Sequence, residues 1–188
     1  AAASRGCQWL LKTLRTDGGW PYAFDLEGKA ITDQCSAGQI WCTWALWRMY
    51  ALTGDEACKE GALRSASFFE RNYMKSHRYV GYWEDTVGIT REQNKTINSW
   101  ECYEAAIAAQ VFCEMRDRKR AVEAAQDLAT HTWTRVTSTR QYETSYGQTT
   151  EQALCGPSQA QSPMVGIAFK RIHELTGDRF WNDLAGAP

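Results

Sequence analysis

The sequence predicts an all-α protein of repeated antiparallel helical hairpins, about three of them, and three observations carry that prediction. Arg48-Met49-Tyr50-Ala51-Leu52-Thr53-Gly54-Asp55 recurs as Arg171-Ile172-His173-Glu174-Leu175-Thr176-Gly177-Asp178. Gln110-Val111-Phe112-Cys113-Glu114-Met115-Arg116-Asp117 falls midway without the Thr-Gly, which sets a repeat of roughly 60 residues, room for two helices and a long loop. Apolar helical stretches alternate with charged, amphipathic ones, as inner and outer helices would. In both full copies an apolar helix runs into a glycine suited to the left-handed conformation, Gly54 or Gly177, and then into an aspartate able to cap the next helix, Asp55 or Asp178.

The first helix is expected from about Ser4 to Thr16, with Trp9, Leu10 and Leu14 at helical spacing and a break at Asp17-Gly18-Gly19. The second, about Cys35 to Leu52, carries Ile40, Trp41, Trp44, Leu46 and Trp47 around much of its circumference, which predicts an inner helix buried on more than one side. The third, about Asp55 to Met74, sets Ala57, Leu63, Ala66 and Phe69 near one face with charges opposite, an outer pattern. The fourth, about Ser99 to Met115, is again low in charge along Ala105-Ala106-Ile107-Ala108-Ala109, and the fifth, about Lys119 to Arg135, is charged and amphipathic. The sixth, about Pro163 to Leu175, opens on a proline suited to a first turn. The seventh begins at Asp178 and holds Phe180, Trp181 and Leu184.

With 188 residues the chain can form one domain, 1–188, and bury roughly 70% of its unfolded surface. The 21 Lys and Arg against 22 Asp and Glu leave a net charge of −1 with no basic run, which argues against nucleic acid as a partner. Apolar runs such as Ile40 to Leu46 are too short to cross a bilayer, and Ala1-Ala2-Ala3-Ser4-Arg5 does not read as a signal peptide, so a soluble form is expected. The cysteines number seven; Cys42, Cys102, Cys113 and Cys155 share no metal-ligand spacing, and most of the seven read as small buried hydrophobes of a reducing compartment, the cytoplasm. The sequon Asn94-Lys95-Thr96 would matter only in a eukaryotic secretory protein. His77, His131 and His173 also lack ligand spacing, and neither a metal site nor a cofactor is expected. No serine or cysteine nucleophile motif and no phosphate loop are present in the sequence.

Short turns fall at Gly54, Arg116-Asp117 and Gly177, and long loops run from Asp17 to Gln34, His77 to Asn98 and Thr137 to Gln161. Hairpins stacked side by side would send every long loop out at one end. Such loops in a compact domain are usually functional, and their aromatic content (Trp20, Tyr22, Phe24, Tyr79, Tyr82, Trp83, Tyr142, Tyr146) argues against disordered connectors.

On these features the chain resembles the alpha/alpha toroids, rings of alternating inner and outer helices. One branch comprises carbohydrate-active enzymes of the six-hairpin type: glycoside hydrolases, polysaccharide lyases and uronyl epimerases. Their hairpins carry sequences similar to Arg48–Asp55 followed by spaced alanines like Ala62 and Ala66. That resemblance implies an aromatic, acidic cleft built by the long loops. The other branch, the squalene cyclase and prenyltransferase-like toroids, is matched by Arg5-Gly6-Cys7-Gln8-Trp9-Leu10 and Gly18-Gly19-Trp20; the glutamine that its repeat expects is Leu14, and its acidic protonating sequence is absent, Asp33-Gln34-Cys35-Ser36 being nearest. Both families close their ring with more hairpins than this chain offers. The resemblance therefore implies a fragment of a larger toroid, or a ring completed by self-association or further hairpins.

Candidate chemistry lies in the loops. In Gly18-Gly19-Trp20-Pro21-Tyr22-Ala23-Phe24-Asp25, aromatic rings that stack on sugar faces precede a carboxylate that binds hydroxyls, so Trp20, Tyr22 and Asp25 are candidate substrate-binding residues; the alternative is a plug packed on the helices. Gly81-Tyr82-Trp83-Glu84-Asp85 echoes it, and Trp100, Glu101 and Glu104 follow at the start of an inner helix. Glu101 and Glu104 share a helix face, so with Glu84 or Asp85 they can supply the acid and base of glycoside cleavage; the alternative is a helix-dipole complement. Trp83 and Trp100 would add binding surface. The third loop offers Tyr142-Glu143-Thr144-Ser145-Tyr146, with Tyr146 a candidate proton-transfer residue and Glu143 a binding residue. Arg78, Arg91 and Arg140 can neutralise a uronate unless they are simply solvated, Arg140 being the binding candidate. The expected function is a carbohydrate-processing enzyme domain of hydrolase, lyase or epimerase type acting on an oligo- or polysaccharide. The alternatives are a non-catalytic module binding glycan or protein, and an isoprenoid-binding toroid.

Overall fold

The computed structural model describes residues 2–33, 35–75, 102–131, 143–144, 156–157 and 161–186. Among them the chain is all-helical apart from two small extended pairings. The helices are α1 Ala2–Thr13, α2 Ile40–Thr53 behind a 3-10 turn at Ala37–Gln39, α3 Glu56–Phe69 running on into a π turn at Glu70–Met74, α4 Cys102–Glu114, α5 Arg118–His131, α6 Gln161–Thr176 and α7 Arg179–Gly186. β1 Glu143–Thr144 pairs antiparallel with β2 Gly156–Pro157, and Phe24 bridges Ala30; the sequence read both places as loop.

α1 stops earlier than its apolar spacing predicts. Thr13 Oγ1 turns back onto the Trp9 carbonyl at 2.9 Å, and the chain reverses through Gly18, whose φ of +96° brings its α-carbon against the Arg64 carbonyl. No β-carbon fits there, so the position requires glycine. α6 opens two residues before Pro163, which places that proline within the first turn, where its missing N–H costs nothing.

The hairpin turns explain the sequence repeat. After α2, Gly54 takes φ +74° and its N–H reaches the Tyr50 carbonyl at 2.7 Å; after α6, Gly177 takes φ +75° and reaches the His173 carbonyl at 2.8 Å. Thr53 and Thr176 each donate back to a carbonyl four residues earlier at 2.7 Å and accept from the backbone N–H of Asp55 (3.3 Å) and Asp178 (3.1 Å). Those aspartates then cap α3 and α7 through Ala57 N and Phe180 N, both at 3.0 Å. The middle copy has no Thr-Gly, yet Arg116 occupies the same left-handed conformation at φ +58°, and Asp117 Oδ1 accepts from Arg120 N at 3.2 Å. Leu-Thr-Gly-Asp is thus a turn and a cap. His173 is half-buried and its Nδ1 lies 2.9 Å from the Asp178 carbonyl across the turn.

α2 packs on α3, α4 on α5 and α6 on α7, and α4 lies between α2 and α6. Ala105 to Ala109, Val111 and Phe112 are fully buried, so α4 is the inner helix its low charge predicts. The same expectation fails in part at α2. Ile40, Thr43 and Leu46 are buried, but Trp41 and Leu52 on its other flank stay exposed. α3 also departs from expectation: Ala57 and Leu63 face solvent, and the buried stripe is Cys58, Gly61, Ala62, Ser65, Ala66 and Phe69. Small residues are selected because α3 approaches closely; a β-carbon on Gly61 would come within 2.7 Å of Leu11 Cδ2 and 3.0 Å of Leu46 Cδ1. The buried hydroxyls of Thr43 and Ser65 satisfy one another at 2.7 Å across the α2–α3 interface.

Charged groups tie neighbouring hairpins together. Glu114, at the end of α4, accepts from Trp44 Nε1 at 2.6 Å, from Arg48 Nε at 3.0 Å and from Arg48 Nη2 at 2.7 Å, while Trp47 Nε1 donates to its carbonyl at 3.3 Å. Burial pushes the Glu114 carboxyl up, but the hydrogen bonds from Arg48 and Trp44 outweigh it and hold the group below its ordinary value. Arg120 of α5 donates to Glu70 in the π turn at 2.8 Å, to Asp117 at 2.8 Å and to Ser67 at 3.3 Å. Among the described residues no helix is long and apolar enough to cross a membrane.

Candidate functional site at the long-loop end

The end of the bundle where α2 and α4 begin is also where the first long loop lies. That loop is tied down by charge: Arg15 Nη1 donates to the Asp33 carbonyl at 2.8 Å and contacts Cys35 Sγ at 3.5 Å, its Nη2 pairs with Asp17, and Arg71 Nη2 holds the Asp17 carbonyl at 2.9 Å. Gly19 lies between Phe68 and Cys35 with no room for a β-carbon, its nearest neighbour being 2.8 Å away.

The three aromatics of this loop part company. Trp20 is 4% exposed; its indole N–H donates to the Leu10 carbonyl at 2.9 Å and its backbone N–H to Gln39 Oε1 at 3.2 Å. This is the plug arrangement, and it leaves Trp20 no open face for a sugar. Phe24 sets its edge against Trp9 with centroids 5.0 Å apart. Tyr22 is 41% exposed. Asp25 closes its own turn, taking the Lys29 N–H on Oδ1 at 2.7 Å, with Gly28 at φ +82°.

Two polar side chains stand out behind the loop. Glu104, in the first turn of α4, is 5% exposed, and its Oε1 lies 3.9 Å from the point where Gly38 would carry a β-carbon; Ser36 Oγ is 3.2 Å from the same point. Gly38 therefore leaves space where the carboxylate, the Ser36 hydroxyl and the start of α2 converge. Gln39 is 5% exposed, and while its Oε1 is spent on Trp20, its Nε2 meets no acceptor among the described residues. Sequence reasoning named Glu104 only as the companion of Glu101, and it missed Ser36 and Gln39. The available signal was a glutamine directly before the most apolar helix of the chain.

Of the other site residues drawn from the sequence, Glu84, Asp85, Trp83, Trp100, Glu101, Tyr146 and Arg140 lie outside the described residues. Glu143 stands in β1 opposite Pro157. Cys7, Cys35, Cys42, Cys58 and Cys113 are free, and burial pushes the thiols of Cys42 and Cys58 up to about 11 and that of Cys113 to about 12, which suits packing rather than nucleophilic work. Among the described residues no group of three or more His, Cys, Asp or Glu side chains is placed to hold a metal ion. A scan against protein-family models finds no match, and no curated protein matches the chain.

Proposed function

We propose that this chain is an arc of an alpha/alpha toroid that processes an oligo- or polysaccharide at its long-loop end by acid–base catalysis. Support for the arc comes from the stacking of three hairpins with α4 packed between α2 and α6 and buried from Glu104 to Cys113. The observation that carries the chemistry is the burial of Glu104 in the first turn of that inner helix. Burying a carboxylate is costly, and a site that keeps one beside Gly38 and the Ser36 hydroxyl suits proton transfer to or from a bound hydroxyl or glycosidic oxygen. In this reading Glu84, Asp85, Glu101 and Tyr146 supply the complementary acid or base, and Tyr22 the binding surface.

The test is to incubate the chain with a panel of neutral and uronate-containing polysaccharides in heavy-oxygen water and analyse products by mass spectrometry. Heavy oxygen in new ends means hydrolysis; unsaturated ends without it mean a lyase. Glu104→Gln is expected to lower turnover by about 10²-fold or more with glycan affinity kept. Undiminished turnover in that variant removes Glu104 from the mechanism. Binding without product from any polysaccharide identifies a non-catalytic module instead.

One observation favours the isoprenoid reading: Trp20 of Gly18-Gly19-Trp20 is bonded to Leu10 of the helix that carries Arg5, Gln8 and Trp9, so the two parts of that resemblance form one unit. A squalene analogue that raises the unfolding temperature would support it, and no shift at saturation would remove it.

A further inference from the structure

We propose that the cleft at the opposite, short-turn end is a binding site for a small hydroxylated organic carboxylate held by Arg116 and Arg171. This inference stands independently of the chemistry at the long-loop end. α2, α4 and α6 finish around a cavity of about 450 Å³ whose lining includes Trp47, Arg48, Glu114, Arg116, Arg171 and Glu174. Three arginines against two glutamates leave one positive charge in excess. Arg48 is spent on Glu114, but Arg171 Nη1 stands 4.0 Å from Glu114 Oε1, beyond hydrogen-bond reach. Among the described residues the guanidinium groups of Arg116 and Arg171 meet no hydrogen-bond acceptor.

A cation at a helix C-terminus complements the helix dipole, and Arg116, two residues past the end of α4, is so placed, whereas Arg48 and Arg171 stand before the last turns of α2 and α6. The sister turns use Gly54 and Gly177 at the left-handed position, whereas here an arginine holds φ +58° against the steric cost of its β-carbon and lines the cavity. The exposed Arg116 at this cavity, beside Arg171 whose only pairing with Glu114 among the described residues is long at 4.0 Å, fits a ligand that uses both guanidinium groups. The guanidinium fork matches a carboxylate in two-point geometry, Trp47 offers a flat apolar wall for the body of the ligand, and Glu174 accepts from its hydroxyls.

The test is calorimetric titration of the full chain with glucuronate, with inorganic phosphate as the second arm. Saturable glucuronate binding with a dissociation constant of about 1 mM or tighter is expected. Arg171→Gln and Arg116→Gly should each weaken it about tenfold or more. Arg116→Gly suits the turn, so a folded variant with lost binding separates ligand contact from stability. Absence of glucuronate binding, affinity unchanged in both variants, or phosphate bound more tightly than glucuronate through the same arginines would each overturn the assignment.

Discussion

Replacing Glu114 by alanine tests the electrostatic tie between the first two hairpins. The carboxylate is one-fifth exposed and accepts from Trp44 Nε1 at 2.6 Å and twice from Arg48, at 3.0 and 2.7 Å. Loss of a charge-assisted bond that leaves the indole N–H without its acceptor costs about 1.5 kcal/mol. The Arg48 pair is discounted, because that side chain is 54% exposed and regains hydration, to about 0.5–1 kcal/mol. The expected loss is therefore about 2–2.5 kcal/mol, a fall of about 4–10 °C in Tm for a chain of this size. Glu114→Gln keeps an acceptor for Trp44 and should lose about half as much.

Urea unfolding reads this directly, since the midpoint should move while the slope stays constant. A double-mutant cycle pairing Glu114→Gln with Arg48→Met isolates the ion pair from the indole bond. The pH dependence has a fixed sign. Because the folded pKa of Glu114 is depressed, its contribution is fully present above the unfolded carboxylate pKa of about 4.3 and disappears as pH falls through the lower folded value. That part of the acid sensitivity should be missing from Glu114→Gln. A Glu114→Ala variant with an unchanged urea midpoint would refute the reasoning, since it would mean that hydration replaces the three bonds at no cost.

Two further substitutions separate backbone conformation from packing. Gly18→Ala combines φ +96° with a collision against the Arg64 carbonyl and should cost about 2–4 kcal/mol, whereas Gly54→Ala, at φ +74° with open space around it, should cost about 1 kcal/mol; equal losses in thermal unfolding would contradict the collision. Arg116→Gly should stabilise the chain by about 0.5–1 kcal/mol, the relief of left-handed strain exceeding the added freedom of the unfolded chain, and a destabilised variant would show that the arginine side chain contributes more to stability than its backbone costs.

The turns were the most legible part of the chain, because a glycine followed by a capping aspartate states local chemistry that needs no distant partner. The turn at Arg116-Asp117 was legible from spacing alone, and its left-handed residue follows from the repeat although no glycine marks it. The face of α3 was misread for a physical reason. Apolar size singles out Leu63, but close approach to α1 and α2 selects Gly61, Ala62 and Ser65, which a hydrophobic pattern undervalues. Trp20 shows the limit of loop composition. A tryptophan after two glycines suits stacking or plugging equally, and the choice was made by the Leu10 carbonyl at the end of the preceding helix. Glu104 was visible as an acidic residue at a helix start, but its burial depends on Gly38 and α2, which sequence spacing does not place beside it.

The middle hairpin departs from the repeat where its position demands it. Two residues before the left-handed turn stand Leu52, Glu114 and Leu175 in the three copies. α2 and α6 are each flanked by one inner helix, whereas α4 has both beside it, so its residue at this level meets Arg48 from one side and Arg171 from the other. A leucine there would restore the repeat but leave two like charges facing an apolar side chain and the Trp44 indole without its acceptor. An acidic residue satisfies Arg48 and Trp44 directly and lowers the electrostatic cost of Arg171 at longer range. The backbone of the repeat is thus common to all three hairpins, while the side chains at their shared end encode which hairpin is central.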